Sequence, residues 1–219
     1  MQLPPRKPVQ STLPMRSALQ TTKENPPPDS DNARDVELML QIKTSGDHAT
    51  FQELIERHQH AVVGTIAKML GNPNDAEDIA QQVFLRLWKS RARYQPTAKF
   101  TTFLYTITRN LVFSETRRKS RRKESSLDQN KEDYEFELPT NPNQQPDKQQ
   151  LNAELRHAID QAIEALPEKQ RLAIILRRYQ NLPYEEIATV LDLTVPAVKS
   201  QLFRARGTLR ELLATYLKN

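Results

Sequence analysis

The sequence predicts an all-α protein of two small helical domains joined by a flexible linker. Apolar residues recur at steps of three and four along most of the chain, and no stretch alternates apolar and polar residues for long. A polar, acidic, proline-containing stretch separates two such helical regions. We therefore expect a tail over residues 1–33, domains over residues 34–123 and 150–219, and a linker over residues 124–149.

The composition excludes several classes of protein. The chain has 219 residues, a net charge of +5 and no cysteine, which excludes disulfides and zinc–thiolate sites and suits the reducing cytoplasm. No apolar run approaches the roughly 18 residues of a membrane span, and the N-terminus lacks the apolar segment of a secretory signal. Only four glycines are present, too few to indicate a glycine-rich phosphate loop. We expect no cofactor, no metal ion and no membrane insertion.

A change in composition separates the N-terminal tail from the first helices. Residues 1–33 are rich in Pro, Ser, Thr and Gln, and proline lacks a backbone donor and fixes φ, which predicts an extended, disordered tail. From Asp35 onwards the apolar residues have the spacing of a helix. Asp47 is placed to cap a second helix, which the breaker at residues 71–73 ends. Asn74 or Asp75 can cap a third helix.

The stretch over residues 99–123 combines an apolar half with a strongly basic half. The spacing predicts a helix whose apolar face is made of Phe100, Phe103, Leu104, Ile107 and Leu111. The opposite face carries Thr101, Thr102, Tyr105, Thr108 and Arg109. A helix anchored in a core at one end, with cations at the other, suits a phosphate backbone. The alternative is a core helix with a solvated basic end.

The linker is long enough to separate the two domains. Residues 125–148 are polar and acidic and contain three prolines. Fully extended, a segment of this length spans about 80 Å. The two domains can therefore occupy separate surfaces.

Residues 183–206 have the spacing of a helix-turn-helix, whose second helix enters the major groove of DNA. Thr194 is a suitable cap for that helix, and Asp192 stands where glycine would ease a left-handed turn. The inward positions of the second helix are Val198, Leu202 and Ala205. The outward positions are Ala197, Lys199, Ser200, Gln201, Arg204 and Arg206. Lys and Arg bind phosphates or guanine edges, and Gln or Ser can contact bases. A purely structural helix pair is the alternative.

Three motifs in this order resemble those of RNA polymerase sigma factors of the extracytoplasmic-function type, in the sigma-70 family. Residues 75–88 are similar to the family's polymerase-binding helix, and residues 100–110 resemble its promoter-melting helix. Residues 166–206 contain LPEKQR, YEEIA, VKS and RAR, which resemble its C-terminal domain. Phe103 stands where the family usually has Trp, and Asp192 replaces the usual turn glycine. The N-terminal tail lies outside the resemblance.

The resemblance implies a non-enzymatic subunit without catalytic residues. It would bind core RNA polymerase, recognise the −10 and −35 promoter elements and promote DNA melting, in the service of a stress- or signal-responsive regulon. Contacts with core polymerase are implied for Asp75, Asp78, Gln81, Gln82 and Leu85. Contacts with the −10 element, duplex or melted, are implied for Tyr94, Lys99, Tyr105, Thr108, Arg109, Asn110, Ser114, Arg117 and Arg118. Contacts with the −35 element are implied for Pro196, Ala197, Lys199, Ser200, Gln201, Arg204 and Arg206.

Three questions stay open at this point. Tyr94 suits a core position as well as it suits a DNA contact. The chain also fits a helix-turn-helix regulator whose N-terminal domain senses a ligand or dimerises. An enzyme is disfavoured, because the four histidines are scattered and His58 and His60 face different directions on a helix. The resemblance leaves open whether an anti-sigma factor holds the chain inactive.

Overall fold

The computed structural model describes residues 28–125 and 146–216. Its described residues form α-helices and one 3₁₀ turn at Arg91–Arg93, without a strand, which confirms the all-α prediction. The helices are α1 (Pro28–Ser45), α2 (His48–Leu70), α3 (Pro73–Ser90), α4 (Phe100–Ser125), α5 (Pro146–Glu164), α6 (Glu168–Arg178), α7 (Tyr184–Leu191) and α8 (Val195–Leu212). Helix α1 begins within the predicted tail, whose residues 1–27 lie outside the described residues, as do residues 126–145 of the predicted linker.

Local capping determines where the first helices begin. Asp47 caps α2 as predicted, accepting a hydrogen bond from the Thr50 backbone N–H at 2.8 Å. The predicted cap of α3 at Asn74 or Asp75 is wrong. Asn72 holds that position with extended backbone angles and accepts a hydrogen bond from the Asn74 N–H at 2.9 Å. Pro73 fits directly after this cap, because it has no N–H to leave unsatisfied and its φ suits a helix.

A buried carboxylate fixes α1, α2 and the start of α4 relative to one another. Asp35 is 2% exposed and accepts hydrogen bonds from Arg57 Nε at 2.7 Å and His58 Nε2 at 2.9 Å. The His58 ring lies against Phe100, with 5.1 Å between the ring centroids. The Phe100 backbone N–H donates to Asn32 of α1 at 2.9 Å. The first turn of α4 is therefore held by α1 and α2.

The buried face of α4 differs from the face that the apolar pattern predicts. The predicted face includes Phe103 and Ile107, which are only partly buried. The buried residues of α4 include three polar ones outside the predicted apolar face, namely Tyr105, Thr108 and Glu115. A further polar residue of the predicted outer face, Thr102, is 2% exposed. Apolar periodicity misses these positions because their polar groups find partners inside the protein.

The two helical halves pack against each other in the described structure. Helix α7 lies against α4, and both α5 and α6 lie against α2. The buried apolar residues of both halves form one continuous cluster. This shared apolar cluster holds the halves together despite the length of the predicted linker.

Replacing Asp35 with Asn should lower the free energy of unfolding by about 1–3 kcal/mol, because Arg57 and His58 lose a charged acceptor. Burial raises the pKa of Asp35, but His58 and Arg57 outweigh it and hold that pKa below its ordinary 3.8. The contribution of the Asp35 carboxylate to the free energy of unfolding is thus complete above pH 3.8. It is lost as the pH falls through the lower pKa that Asp35 has in the folded state.

Urea denaturation of Asp35→Asn and of the wild type, from neutral pH to below pH 3.8, measures this difference in the free energy of unfolding. Asp78→Asn is the matched control, since Asp78 is exposed on α3. Equal midpoints for the two variants at neutral pH would contradict a structural role for the Asp35 carboxylate.

Candidate nucleic-acid interface

The C-terminal half of α4 presents a row of cations held in place by local bonds. Arg118 donates to Glu115 at 2.7 Å, and this hydrogen bond raises the pKa of the guanidinium. Arg117 Nε donates to the Phe113 carbonyl at 3.1 Å, while its side chain stays exposed. Lys119 pairs with Asp75 of α3. Two of these cations, Arg117 and Arg118, are therefore ordered and accessible to an anionic partner.

The middle of α4 carries a smaller polar surface. Arg109 donates to the Asn110 side-chain oxygen at 2.7 Å from Nη2 and 3.1 Å from Nε. Asn110 and Ser114 are exposed one turn apart. This surface offers a guanidinium, an amide and a hydroxyl on one side of the helix, groups that can donate to phosphates and bases.

Three of the residues predicted for the −10 interface are buried in the described structure. Tyr94 is 2% exposed, and its ring packs 5.2 Å from Phe103, which places it in the core. Thr108 is 1% exposed and donates to the Leu104 carbonyl at 3.0 Å. Tyr105 is 4% exposed. Burial raises the pKa of Tyr105 above its ordinary range, and a hydrogen bond to Thr65 offsets part of that rise.

Lys99, at the start of the same surface, is bound to the C-terminal half. Its Nζ lies 3.1 Å from Glu186 Oε1 of α7. The hydroxyl of Thr102 donates to the other oxygen of the same carboxylate at 3.3 Å. One acidic side chain thus covers the first turn of α4.

The helix-turn-helix forms as the sequence predicts. Asp192 adopts the left-handed conformation with φ 54° and ψ 55°. Thr194 caps α8, accepting a hydrogen bond from the Ala197 N–H at 3.4 Å. The predicted inward residues Val198, Leu202 and Ala205 are at most 1% exposed. The exposed residues of the predicted −35 set are Pro196, Lys199, Arg204 and Arg206, and the half-buried ones are Ala197, Ser200 and Gln201.

The structure adds Phe203 to this surface. Its side chain is 79% exposed, the highest value among the large apolar residues that the structure describes. It follows Pro196 by seven residues and Ser200 by three, so the three share the outward side of α8. The helical spacing of the sequence alone could have placed Phe203 on this surface. A phenylalanine at an outward position of a helix cannot pack in the core and so indicates a contact with a partner.

The exposed face of α3 is a third candidate surface. Asp78, Gln81 and Gln82 are exposed, and Leu85 is 52% exposed beside them. Asp75 differs, because it is half-buried and paired with Lys119. The structure thus brings four of the five predicted polymerase contacts onto one open face, with the fifth joining α3 to α4.

Comparison with known proteins identifies the family. The sigma-70 region 2 model matches residues 54–122, and the sigma-70 region 4 model matches residues 156–209. The chain is 30% identical over 188 residues to the RNA polymerase sigma-H factor of Pseudomonas aeruginosa, covering 84% of this chain and 96% of that protein. It is 31% identical over 172 residues to the ECF RNA polymerase sigma-E factor of Escherichia coli K12, covering 78% and 90%. The chain belongs to the extracytoplasmic-function group of the sigma-70 family.

Solved structures agree with this sigma-factor fold. The chain matches the sigma factor RpoE of Bartonella quintana, solved with the anti-sigma factor NepR, at a TM-score of 0.62 and 23% identity over 75% of this chain and 96% of that one. It matches CnrH, solved with the cytosolic domain of CnrY, at a TM-score of 0.60 and 21% identity over 85% and 99%. Within the described residues of this sigma factor, no helix is long and apolar enough to span a bilayer.

Replacing Tyr105 with Phe should reduce the loss of stability expected for this sigma factor in alkali. The raised pKa of Tyr105 keeps its hydroxyl neutral in the folded state, whereas the unfolded chain ionises it near pH 10. The wild type therefore loses stability as the pH rises from 10 towards the folded pKa, and the variant lacks this contribution. Urea midpoints at pH 8 and pH 10.5 measure the difference. Tyr216→Phe, at a 40% exposed position, is the control. If the urea midpoint falls equally between pH 8 and pH 10.5 in both variants, the Tyr105 hydroxyl is not the source of the effect.

Proposed function

We propose that this chain brings core RNA polymerase to promoters with −10 and −35 elements and promotes strand opening, as a binding subunit and not as an enzyme. The observation that carries the proposal is the presence of separate exposed cationic surfaces on the two matched regions. One is the end of α4, within the region 2 match, and the other is α8, within the region 4 match. Two such surfaces suit two DNA elements bound by one chain.

Helix α8 is proposed to recognise the −35 promoter element. Its exposed Arg204 can contact a guanine edge through a bidentate pair, and Lys199 can bind a phosphate. Phe203 projects from the same helix and suits the methyl group of a thymine. Combined polar and apolar groups on one exposed face favour base recognition over phosphate binding alone.

Helix α4 is the proposed −10 surface. Arg117 and Arg118 suit duplex phosphates, and Arg109, Asn110 and Ser114 suit the opened strand. Opening a duplex costs stacking energy, which contacts with extruded bases and with the backbone offset. The roles proposed for Tyr105, Thr108 and Tyr94 require that these buried residues become accessible. The role proposed for Lys99, which is exposed, requires its release from Glu186.

Core polymerase is the proposed partner of α3. Exposed Leu85 lies among Asp78, Gln81 and Gln82, and an apolar group ringed by polar ones suits an interface with a hydrated rim. An anti-sigma partner is also proposed, because RpoE of Bartonella quintana was solved with the anti-sigma factor NepR. The absence of cysteine supports a cytoplasmic location. A stress- or signal-responsive regulon is proposed on the family resemblance alone.

In-vitro transcription tests the proposal directly. Purified chain and core RNA polymerase are mixed with genomic fragments, and transcript starts are mapped with and without the chain. Specific starts that require both components are the expected result. A protein that binds DNA tightly without core, and directs no start with it, would instead be an ordinary helix-turn-helix regulator.

Substitutions on α8 should change promoter choice. Arg204→Ala should weaken −35-dependent initiation by about 1–3 kcal/mol, as expected for the loss of a base contact. Phe203→Ala should relax the preference at a thymine position, while Lys199→Ala should weaken all promoters alike. Start-site profiling over a library of −35 sequences measures these effects. Arg210→Ala, an exposed cation near the end of the same helix, is the control. Unchanged profiles in all three variants would remove α8 from this role.

A further inference from the structure

We propose that Ser120 on α4 is a phosphoryl-acceptor site for an arginine-directed serine kinase, and that its phosphorylation weakens the binding of DNA by this chain. The modification would place an anionic group in the middle of the cations that end α4. The inference rests on the proposed function, because it assigns a regulation to the part of α4 proposed there to bind duplex phosphates.

Basic residues surround Ser120 on both sides. Residues 117–119 and residues 121–123 both read RRK, so arginines stand three and two positions before the hydroxyl. Kinases choose their substrates by charge pattern, because acidic side chains of the kinase cleft pair with guanidinium groups at fixed distances from the acceptor. A serine preceded by two arginines in this way indicates a substrate of a kinase with such an acidic cleft.

The acceptor and its two arginines are accessible in the described structure. Ser120 and Arg117 are exposed, and the side chain of Arg118 is 58% exposed. Ser114 is also exposed on α4, but Leu111 stands three positions before it, so it lacks the charge pattern. Exposure and the two preceding arginines coincide at Ser120.

The end of α4 contributes little to the core, so it can open to enter a kinase cleft. Glu115 is buried, but between residues 116 and 121 no side chain is buried, and α4 ends at Ser125. Lys119 pairs with Asp75, and both side chains keep more than a third of their exposure. Surface ion pairs of this kind contribute little to stability, and helix ends fray. Local opening here costs far less than unfolding the domain.

The transfer step is a displacement at phosphorus, with magnesium-bound ATP as the donor. The Ser120 Oγ forms a bond to the γ-phosphorus, the bond from that phosphorus to the β–γ bridging oxygen breaks, and ADP leaves. The hydroxyl proton passes to the carboxylate of the kinase's catalytic base. The phosphoserine carries a charge of about −1.5 to −2 at pH 7.

A phosphate on Ser120 has cationic partners within this chain. Arg117 lies three residues earlier on the same face of the helix, where its guanidinium can pair with the phosphate oxygens. Ser120 also borders a cavity of about 240 Å³ whose wall includes Lys119 of α4 and Arg171 of α6, with Glu164 as an acidic member. Cations paired with an internal phosphate no longer exchange counterions for DNA, so phosphorylation lowers DNA affinity.

Kinase treatment of the full chain tests the acceptor. The probe is the purified catalytic subunit of cyclic-AMP-dependent protein kinase, an arginine-directed serine kinase, with magnesium and ATP. Tandem mass spectrometry locates the phosphate. We expect it on Ser120 of the folded wild type, and we expect Arg117→Gln with Arg118→Gln to lose most of it. Arg178→Gln with Arg210→Gln is the control, since it removes the same charge at exposed positions elsewhere.

The position of the phosphate decides the assignment. Ser125 is a competing acceptor, because an arginine stands three positions before it, although Glu124 directly precedes it. Phosphate on Ser125 and not on Ser120 would overturn the proposal. Phosphate on Ser120 only in the heat-unfolded chain would also overturn it, since the site would then be closed in the folded protein.

Phosphoserine incorporated at position 120 during translation tests the consequence for DNA. The probe is a fluorescein-labelled duplex pool of random sequence, and fluorescence anisotropy gives the affinity over a series of salt concentrations. We expect affinity to fall roughly tenfold and the slope of log affinity against log salt to shrink by about 1–2, because each lost cation removes about 0.9. Ser120→Asp should weaken binding more than Ser120→Asn, which has the same shape without the charge.

Phosphoserine in place of Ala49 is the matched control. Ala49 is exposed in the first turn of α2, so the same charge is added to the same half of the chain. Its DNA affinity should stay within about twofold of the wild type, since a distant charge is screened by salt. Equal losses at positions 120 and 49, or no loss at position 120, would overturn the proposed regulation.

Failure of the proposed function has a different signature. It would appear as the absence of core-dependent transcript starts with the unmodified chain. If only the inference fails, those starts are present with the unmodified chain and are equally strong with phosphoserine at position 120.

Discussion

The burial of α4 on two sides is the constraint on which the rest of this structure depends. One side, through Leu104 and Leu111, enters the core of the N-terminal half. The other meets the C-terminal half, directly where Thr102 bonds to Glu186 and indirectly where Thr65 of α2 lies between Tyr105 and Gln180. A helix held on both sides cannot turn about its axis, so the cations at its far end keep a fixed direction.

Several polar groups inside this core are paired, among them Asp35 and Thr65. An unpaired buried polar group costs about as much as several apolar contacts contribute, so its position is tightly constrained. Asp35 accepts from Arg57 and His58, and Thr65 joins Tyr105 to Gln180. These bonds locate α1, α2 and the C-terminal half around α4 more precisely than apolar packing does, since hydrogen bonds are directional.

Two demands meet at the start of α4. A DNA-binding surface needs exposed donors, whereas a stable compact chain needs those donors paired. In the described structure the pairing is internal, since Lys99 and Thr102 bind Glu186. In the described structure the cations of α4 and the Lys99 beside it are thus either paired or solvated. Exchange of one anionic partner for another costs less than leaving a charge buried without a partner.

The sequence was enough to predict the helical class, the capped start of α2 at Asp47, the left-handed turn at Asp192 and the inward and outward faces of α8. These features follow from local rules of spacing, capping and backbone conformation. The three-dimensional fold was needed to establish which face of α4 is buried, that Tyr94 and Tyr105 lie inside, and that Glu186 contacts Lys99. The reason is physical. A polar side chain reveals from the sequence neither its burial nor its partner, because both are fixed by residues far away along the chain.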